Sequence, residues 1–225
     1  MREDIEKDIQ PLAEKFEMEV TFTYNDQRKR AAIFVSKEVH CLMELLWEWQ
    51  SGDLEMDIPL VVSNHEDARE LVEQHGIPYY YIPATKDIRE EVEAKQLQLM
   101  KDYEIDLIIL ARYMQILTPH FVEQYPNQII NIHHSFLPAF IGAHPYERAY
   151  ERGVKLIGAT SHYVTNELDE GPIIDQDIER VDHRNNVASL KKIWQRVYRS
   201  VLARAVKWHI QDRIIVKDNK TIVFE

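Results

Sequence analysis

The chain has 225 residues, of which 45% are apolar, a formal net charge of −11 and a single cysteine. That length and apolar share allow one large domain, or an ordinary one with a small addition, around a real core, and the acidic balance argues against nucleic acid as the main ligand. The charged N-terminus has no secretory h-region, no apolar run is long enough to span a bilayer, and Cys41 alone can form no intramolecular disulfide, which fits a reducing cytoplasm.

Residues 2–17 read as a helix, with Ile5, Ile9, Leu12, Ala13 and Phe16 at helical spacing and Pro11 as a kink or a late start. Residues 19–24 alternate Val20, Phe22 and Tyr24 with polar neighbours, which predicts a half-buried strand. Residues 25–30 form a polar, basic linker. One helix and one strand cannot stand as a domain, so residues 1–30 read as the second half of something else.

A repeating pattern begins at residue 31. Apolar runs at 31–35, 58–62, 79–82 and 105–111 alternate with helical stretches at 40–50, 65–75 and 87–103. Strands apolar on both faces, alternating with helices, predict a doubly wound, Rossmann-like α/β fold with a mostly parallel sheet. Ligands bind such sheets beyond the C-terminal strand ends. The first turn, residues 36–41, contains no glycine, so a dinucleotide fingerprint and a phosphate loop are both absent.

A short strand at 128–130 then leads into a stretch unlike the rest, residues 131–146. It holds an amide, two adjacent histidines, two prolines and a glycine. It is too rich in turn formers for a helix, and too rich in reactive groups for an idle loop. Further on, 146–151 reads as a helix stopped by Gly153. Strands follow at 157–164 and 173–181, separated by the turn signal Asp169-Glu-Gly-Pro172. A long helix covers 186–209, and 214–216 with 221–224 read as a hairpin.

Three polar side chains lie near one end of this sheet. Asn131 ends a strand and its amide can donate to a developing oxyanion. His133, two residues on, points to the same side in extended backbone, and an ordinary imidazole pKa of ~6.5 suits general acid–base work. Asp169, in the later turn, can orient His133 or hold a water. His133, His134, His144 and His162 lack the spacing of a helical zinc pair, so no metal is expected. Cys41 lies in an apolar helical stretch and reads as a small buried hydrophobe, while Trp47 and Trp49 read as packing residues.

Four segments carry a resemblance: Ala111-Arg-Tyr-Met-Gln-Ile-Leu117, Ile130-Asn-Ile-His-His-Ser-Phe-Leu-Pro-Ala-Phe140, Gly158-Ala-Thr-Ser-His-Tyr-Val164 and Leu168-Asp-Glu-Gly-Pro-Ile-Ile174. Together they closely resemble the formyltetrahydrofolate deformylases, hydrolases of the formyltransferase-fold family. The resemblance covers roughly residue 31 to the end. It implies hydrolysis of 10-formyltetrahydrofolate to tetrahydrofolate and formate, which supplies formate for purine synthesis, with no permanently bound cofactor.

By the same resemblance Asn131, His133 and Asp169 are the catalytic residues. Asn131 and His133 would polarise the formyl oxygen, and Asp169 would support the imidazole and place the water. The pterin would be held largely by the backbone of two segments, 114–117 and 164–168, with Met114, Gln115 and Leu117 in one and Val164 and Glu167 in the other. Residues 134–140 look like a wall that favours water. The resemblance implies a partial ACT-like regulatory segment at 1–30, a catalytic domain at 31–225, and a homo-oligomer. Transferases of the family place an acceptor phosphate on a Gly-rich first turn; its absence at 36–41 favours water over an amine. A formyltransferase acting on some amine, and a folate-binding protein with little turnover, are the alternatives. The chain departs from the family in its last long helix: Gly, Asp and Glu are expected near positions held here by Trp194, Arg196 and Tyr198, and His144 is a milder change.

Overall fold

The computed structural model describes residues 2–24, 26–137 and 145–224. Nine strands and seven α-helices are present among them. Seven strands make one sheet in the order β3-β2-β1-β4-β5-β6-β7. These are β1 Arg30–Val35, β2 Asp57–Ser63, β3 Tyr79–Tyr81, β4 Leu107–Ala111, β5 Ile129–His133, β6 Leu156–Tyr163 and β7 Ile173–Arg180. β1 to β5 run parallel, whereas β6 is antiparallel to β5 and β7 to β6.

The strands form because their apolar runs can be buried on both faces. Along β1, Ala31, Ile33 and Val35 join one core and Ala32 and Phe34 the other. The first core is covered by helices α2 (His40–Ser51), α3 (Arg69–Glu73) and α6 (Pro145–Arg152), and by α7 (Val187–Ile210), which supplies Leu190, Val197, Val201 and Leu202. The second is covered by α4 (Arg89–Asp102) and α5 (Pro119–Val122), through Leu97, Met100, Phe121 and Val122. α7 starts where Asn186 accepts a hydrogen bond from the Ser189 N–H, an ordinary N-cap. The hairpin β8–β9 (Ile214–Lys217 and Lys220–Val223) lies against β7 and the turn before it. Asn219 Nδ2 donates to the Glu170 carbonyl at 2.9 Å, and Thr221 Oγ1 to that of Ile173 at 2.5 Å.

Several expectations need correction. Residues 19–24 are not a strand: the preceding helix α1 (Arg2–Lys15) runs into irregular backbone, because no strand among the described residues pairs with it. The helix expected over 65–75 shrinks to Arg69–Glu73. Ser63 Oγ accepts from the His65 N–H, and the Tyr79 hydroxyl donates to the His65 carbonyl; this turn competes with helix. The four-residue helix α5 was not expected. Trp47 is 63% exposed on the outer side of α2, whereas Trp49 packs and donates its indole N–H to the Met56 carbonyl. No helix among the described residues is long and apolar enough to cross a membrane.

Candidate active site

The strand expected at 128–130 runs instead from Ile129 to His133, so Asn131 lies inside β5 rather than at its end. The extension is stabilised by β6, whose antiparallel register sets Asn131 opposite His162 and His133 opposite Thr160. Alternation along a strand then puts Asn131 and His133 on one face. Asn131 is half-buried and His133 buried.

Asp169 reaches this face from the turn after β6. Its backbone adopts a left-handed φ of 57°, which an Asp tolerates better than most residues. Two residues on, a Cβ at Gly171 would stand 1.8 Å from the Tyr163 carbonyl oxygen, so only glycine lets the turn fold back so tightly. Asp169 Oδ2 lies 3.1 Å from His133 Nδ1, and Oδ1 lies 3.5 Å from His162 Nε2. Burial pushes the Asp169 carboxyl up, but hydrogen bonds from His133 and His162 outweigh it and hold the group well below the usual carboxylate range. The anion in turn orients His133, with Nδ1 as the donor. His133 Nε2 has no partner among the described residues, and His133 lines a cavity.

His162 is a member of this site that sequence reasoning considered only as a metal ligand. Its Nδ1 donates to the Tyr163 carbonyl at 2.9 Å, which turns Nε2 toward both Asp169 and Asn131; the Asn131 amide lies 3.3 Å away. One imidazole therefore touches two of the other three polar groups of the site, Asn131 and Asp169. The signal for it was the pairing register across β5 and β6, which no single segment of sequence displays.

The cavity holds about 340 Å³. Of the residues expected to bind substrate, Met114, Gln115, Leu117 and Val164 line it, together with Asn131, His133 and Asp169. Glu167 is not among the lining residues. It is exposed, and its carbonyl accepts from Thr165 Oγ1 within the turn, so its neighbour Leu168 lines the cavity instead. Met114, Ile116 and Leu168 are 61%, 55% and 59% exposed at the cavity mouth, an apolar rim suited to a flat aromatic ligand. Ser36 Oγ accepts from the Met114 N–H at 2.9 Å and donates to Asn64 at 2.7 Å, anchoring one end of the 112–117 segment. At the other end the Glu93 carboxylate accepts from both the Thr118 backbone and its hydroxyl. Arg112, with a left-handed φ of 63°, turns the chain between strand and cavity.

Cys41 is fully buried, and burial pushes its thiol up to about 12, which removes it as a nucleophile. No group of three or more His, Cys, Asp or Glu side chains among the described residues could hold a metal ion. The wall expected over 134–140 is described through Leu137; residues 138–140 and His144 lie outside the described residues.

A family model described as formyl transferase matches residues 29–206. A formyltetrahydrofolate deformylase of Bacillus subtilis is 69% identical over 213 residues, covering 95% of this chain and 71% of that protein. The one of a Synechocystis strain is 54% identical, with 95% and 75% covered. The crystal structure of a formyltetrahydrofolate deformylase from Pseudomonas syringae superposes with a TM-score of 0.96 at 48% identity, covering 99% of this chain and 75% of that one.

Proposed function

The chain belongs to the formyl transferase family, and we propose that it hydrolyses 10-formyltetrahydrofolate to tetrahydrofolate and formate. The observation that carries this reading is the Asp169–His133 pair beside Asn131, on the wall of a cavity with an apolar mouth. The pterin enters between the 114–117 and 164–168 segments, where Met114, Gln115, Leu117 and Val164 stand. The formyl oxygen accepts from the Asn131 amide and His133 Nε2, which hold the charge that builds on it as water attacks. The Asp169 carboxylate fixes the imidazole and hydrogen-bonds the attacking water. The tetrahedral intermediate collapses when N10 of the folate takes up a proton and the C–N10 bond breaks, releasing formate.

The reading carries further parts. The lone buried cysteine fits work in the cytoplasm. Assembly as a homo-oligomer is supported by the exposed apolar side chains Ile5, Leu12 and Phe16 of helix α1 and the residue after it. Residues 1–30 are taken as a partial ACT-like segment and 31–225 as the catalytic domain.

The test is to mix the purified chain with 10-formyltetrahydrofolate and follow tetrahydrofolate and formate. Release of both with no amine present supports hydrolysis. Turnover only with an added amine means a transferase, and binding without turnover means a folate-binding protein.

A further inference from the structure

β5 ends at His133, and the next residue is a second histidine. Along an extended strand consecutive side chains point to opposite faces. Here the backbone bends over residues 134–136, and the two rings turn the same way. His134 stacks on His133 with ring centres 4.5 Å apart and planes 26° apart. Both line the cavity that holds Asn131 and Asp169. The His134 carbonyl is met by the Tyr198 hydroxyl of α7 at 3.4 Å, which ties the bend to the last long helix.

The other charged and titratable groups that line this cavity are engaged elsewhere. Arg112, just past β4, pairs with Glu38, with Nη2 3.2 Å from Oε2, and the Tyr113 hydroxyl accepts from Gln96 of α4 at 2.9 Å. His133 gives Nδ1 to Asp169, while His162 of β6 gives Nδ1 to the Tyr163 carbonyl and turns Nε2 to Asp169. Both of these imidazoles are buried, at 7% and 2% exposure, whereas His134 is half-buried and reaches solvent. Burial alone would raise Asp169, but the hydrogen bonds from His133 and His162 prevail and make its carboxylate a reluctant proton acceptor.

Hydrolysis needs a group that both takes and gives a proton. His133 donates from both ring nitrogens, Nδ1 to Asp169 and Nε2 to the formyl oxygen, so it has no lone pair for the proton that water must lose. N10 of the folate must also receive a proton before it can leave. A second imidazole in the same cavity suits both tasks, because an imidazole changes protonation state near neutral pH.

We propose that His134 is a catalytic residue, which carries a proton from the attacking water to N10 of the folate. The proposal rests on the hydrolase reading above. As the water oxygen bonds to the formyl carbon, the carbonyl π pair moves onto its oxygen, against Asn131 and His133, and His134 takes one proton from the water. The oxyanion offsets the charge on His133, which lets the ring stacked on it become charged at that moment. The C–N10 bond then breaks with its electron pair going to N10, the oxyanion re-forms the carbonyl, and His134 passes its proton to N10. Formic acid leaves and ionises to formate, and His134 ends neutral, as it began.

The experiment follows tetrahydrofolate and formate release from 10-formyltetrahydrofolate, with no amine present, by the parent, His134→Phe and His134→Ala. His134→Phe keeps a ring to stack but no nitrogen, and is expected to lower kcat about 100-fold with KM within about threefold of the parent. His134→Ala is expected to lose as much and to regain at least about tenfold when free imidazole is added. Circular dichroism checks folding; His134→Gln replaces His134→Phe, and His134→Gly replaces His134→Ala, where either does not fold. A folded His134→Phe with kcat within about threefold of the parent overturns the inference alone. So does a loss in both variants that imidazole leaves unchanged, which makes His134 a support for the His133 ring. A parent that releases no tetrahydrofolate without an amine overturns the inference and the hydrolase reading together.

Discussion

The two halves of the sheet differ in what they bury. In the parallel half, β1 and β4 place apolar side chains on both faces, and residues such as Ile33, Phe34, Ile108 and Ile109 have no exposed surface. At the antiparallel edge the buried side chains include His133, Thr160, Ser161 and His162. Thr160 is satisfied locally: its Oγ1 donates to the Ser135 carbonyl and accepts from the Leu137 N–H and Gln176 Nε2. Antiparallel pairing sets residues of neighbouring strands directly opposite each other, which allows Asn131 and His162 to meet. A parallel strand with both faces covered has no such room. On the function proposed above, the apolar parallel half supports, and the half where strand direction reverses holds the chemistry.

That contrast can be broken from either side. Phe34→Ala, in the parallel half, is expected to cost about 3–5 kcal/mol of stability while leaving kcat of the folded protein within about threefold; urea melts and single-turnover rates check both. Asn131→Ala or Asp169→Ala, at the edge, should do the reverse. Turnover drops at least ~100-fold, equal to about 2.7 kcal/mol of transition-state stabilisation, with little change in melting temperature. Near-normal rates in both variants would remove the roles assigned to these residues. His162→Phe should lower kcat by about tenfold with a smaller change in KM, because it frees Asn131 and Asp169 without removing them. A larger effect on KM would make His162 a binding residue instead.

The smallest effect expected is on pH dependence, and it samples both halves. Burial pushes His40, in α2, and His209, in α7, down to about 4 from an ordinary 6.5. The unfolded chain therefore takes up these protons first as pH falls, and stability present above about 6.5 is progressively lost toward 4. His209 accepts from or donates to the Tyr163 hydroxyl at 2.7 Å, so it belongs to the edge, while His40 lies beneath the parallel half. Chemical melts of His40→Gln and His209→Gln across that range should each show a shallower slope than the parent. A slope unchanged in both would assign the acid sensitivity to other groups.

The parallel half was legible in the sequence because an unbroken apolar run bounded by turn residues permits few other structures. The edge was less so. β5 continues through Asn131 to His133, polar residues that pattern reading assigns to a loop; Asn131 pairs with Leu110 of β4 as well as with β6, and pairing with β6 carries the strand on to His133. Residues 19–24 have the alternation of a strand, but a strand also needs a neighbour, and propensity cannot supply one. Helix α5 offered only Thr118 followed by Pro119, a cap and a helix start too short to read as periodic. Asn131, His133 and Asp169 could be picked out and do converge. Their link through His162 could not be seen, since it depends on register across 31 positions of chain. Glu167 was assigned to the pterin site by the family resemblance, and the turn leaves it exposed, outside the cavity lining.

The bonds from the terminal hairpin to the Asp169 turn set an order in time. Asn219 and Thr221 reach back across 49 and 48 positions to the carbonyls of Glu170 and Ile173, which bracket the glycine and proline of that turn. During synthesis, the sheet as far as β7 is translated before either donor exists. A nascent chain can thus hold most of its sheet while the turn bearing its acid still lacks both tethers. Residues translated after the whole sheet complete the fastening of a turn made before them.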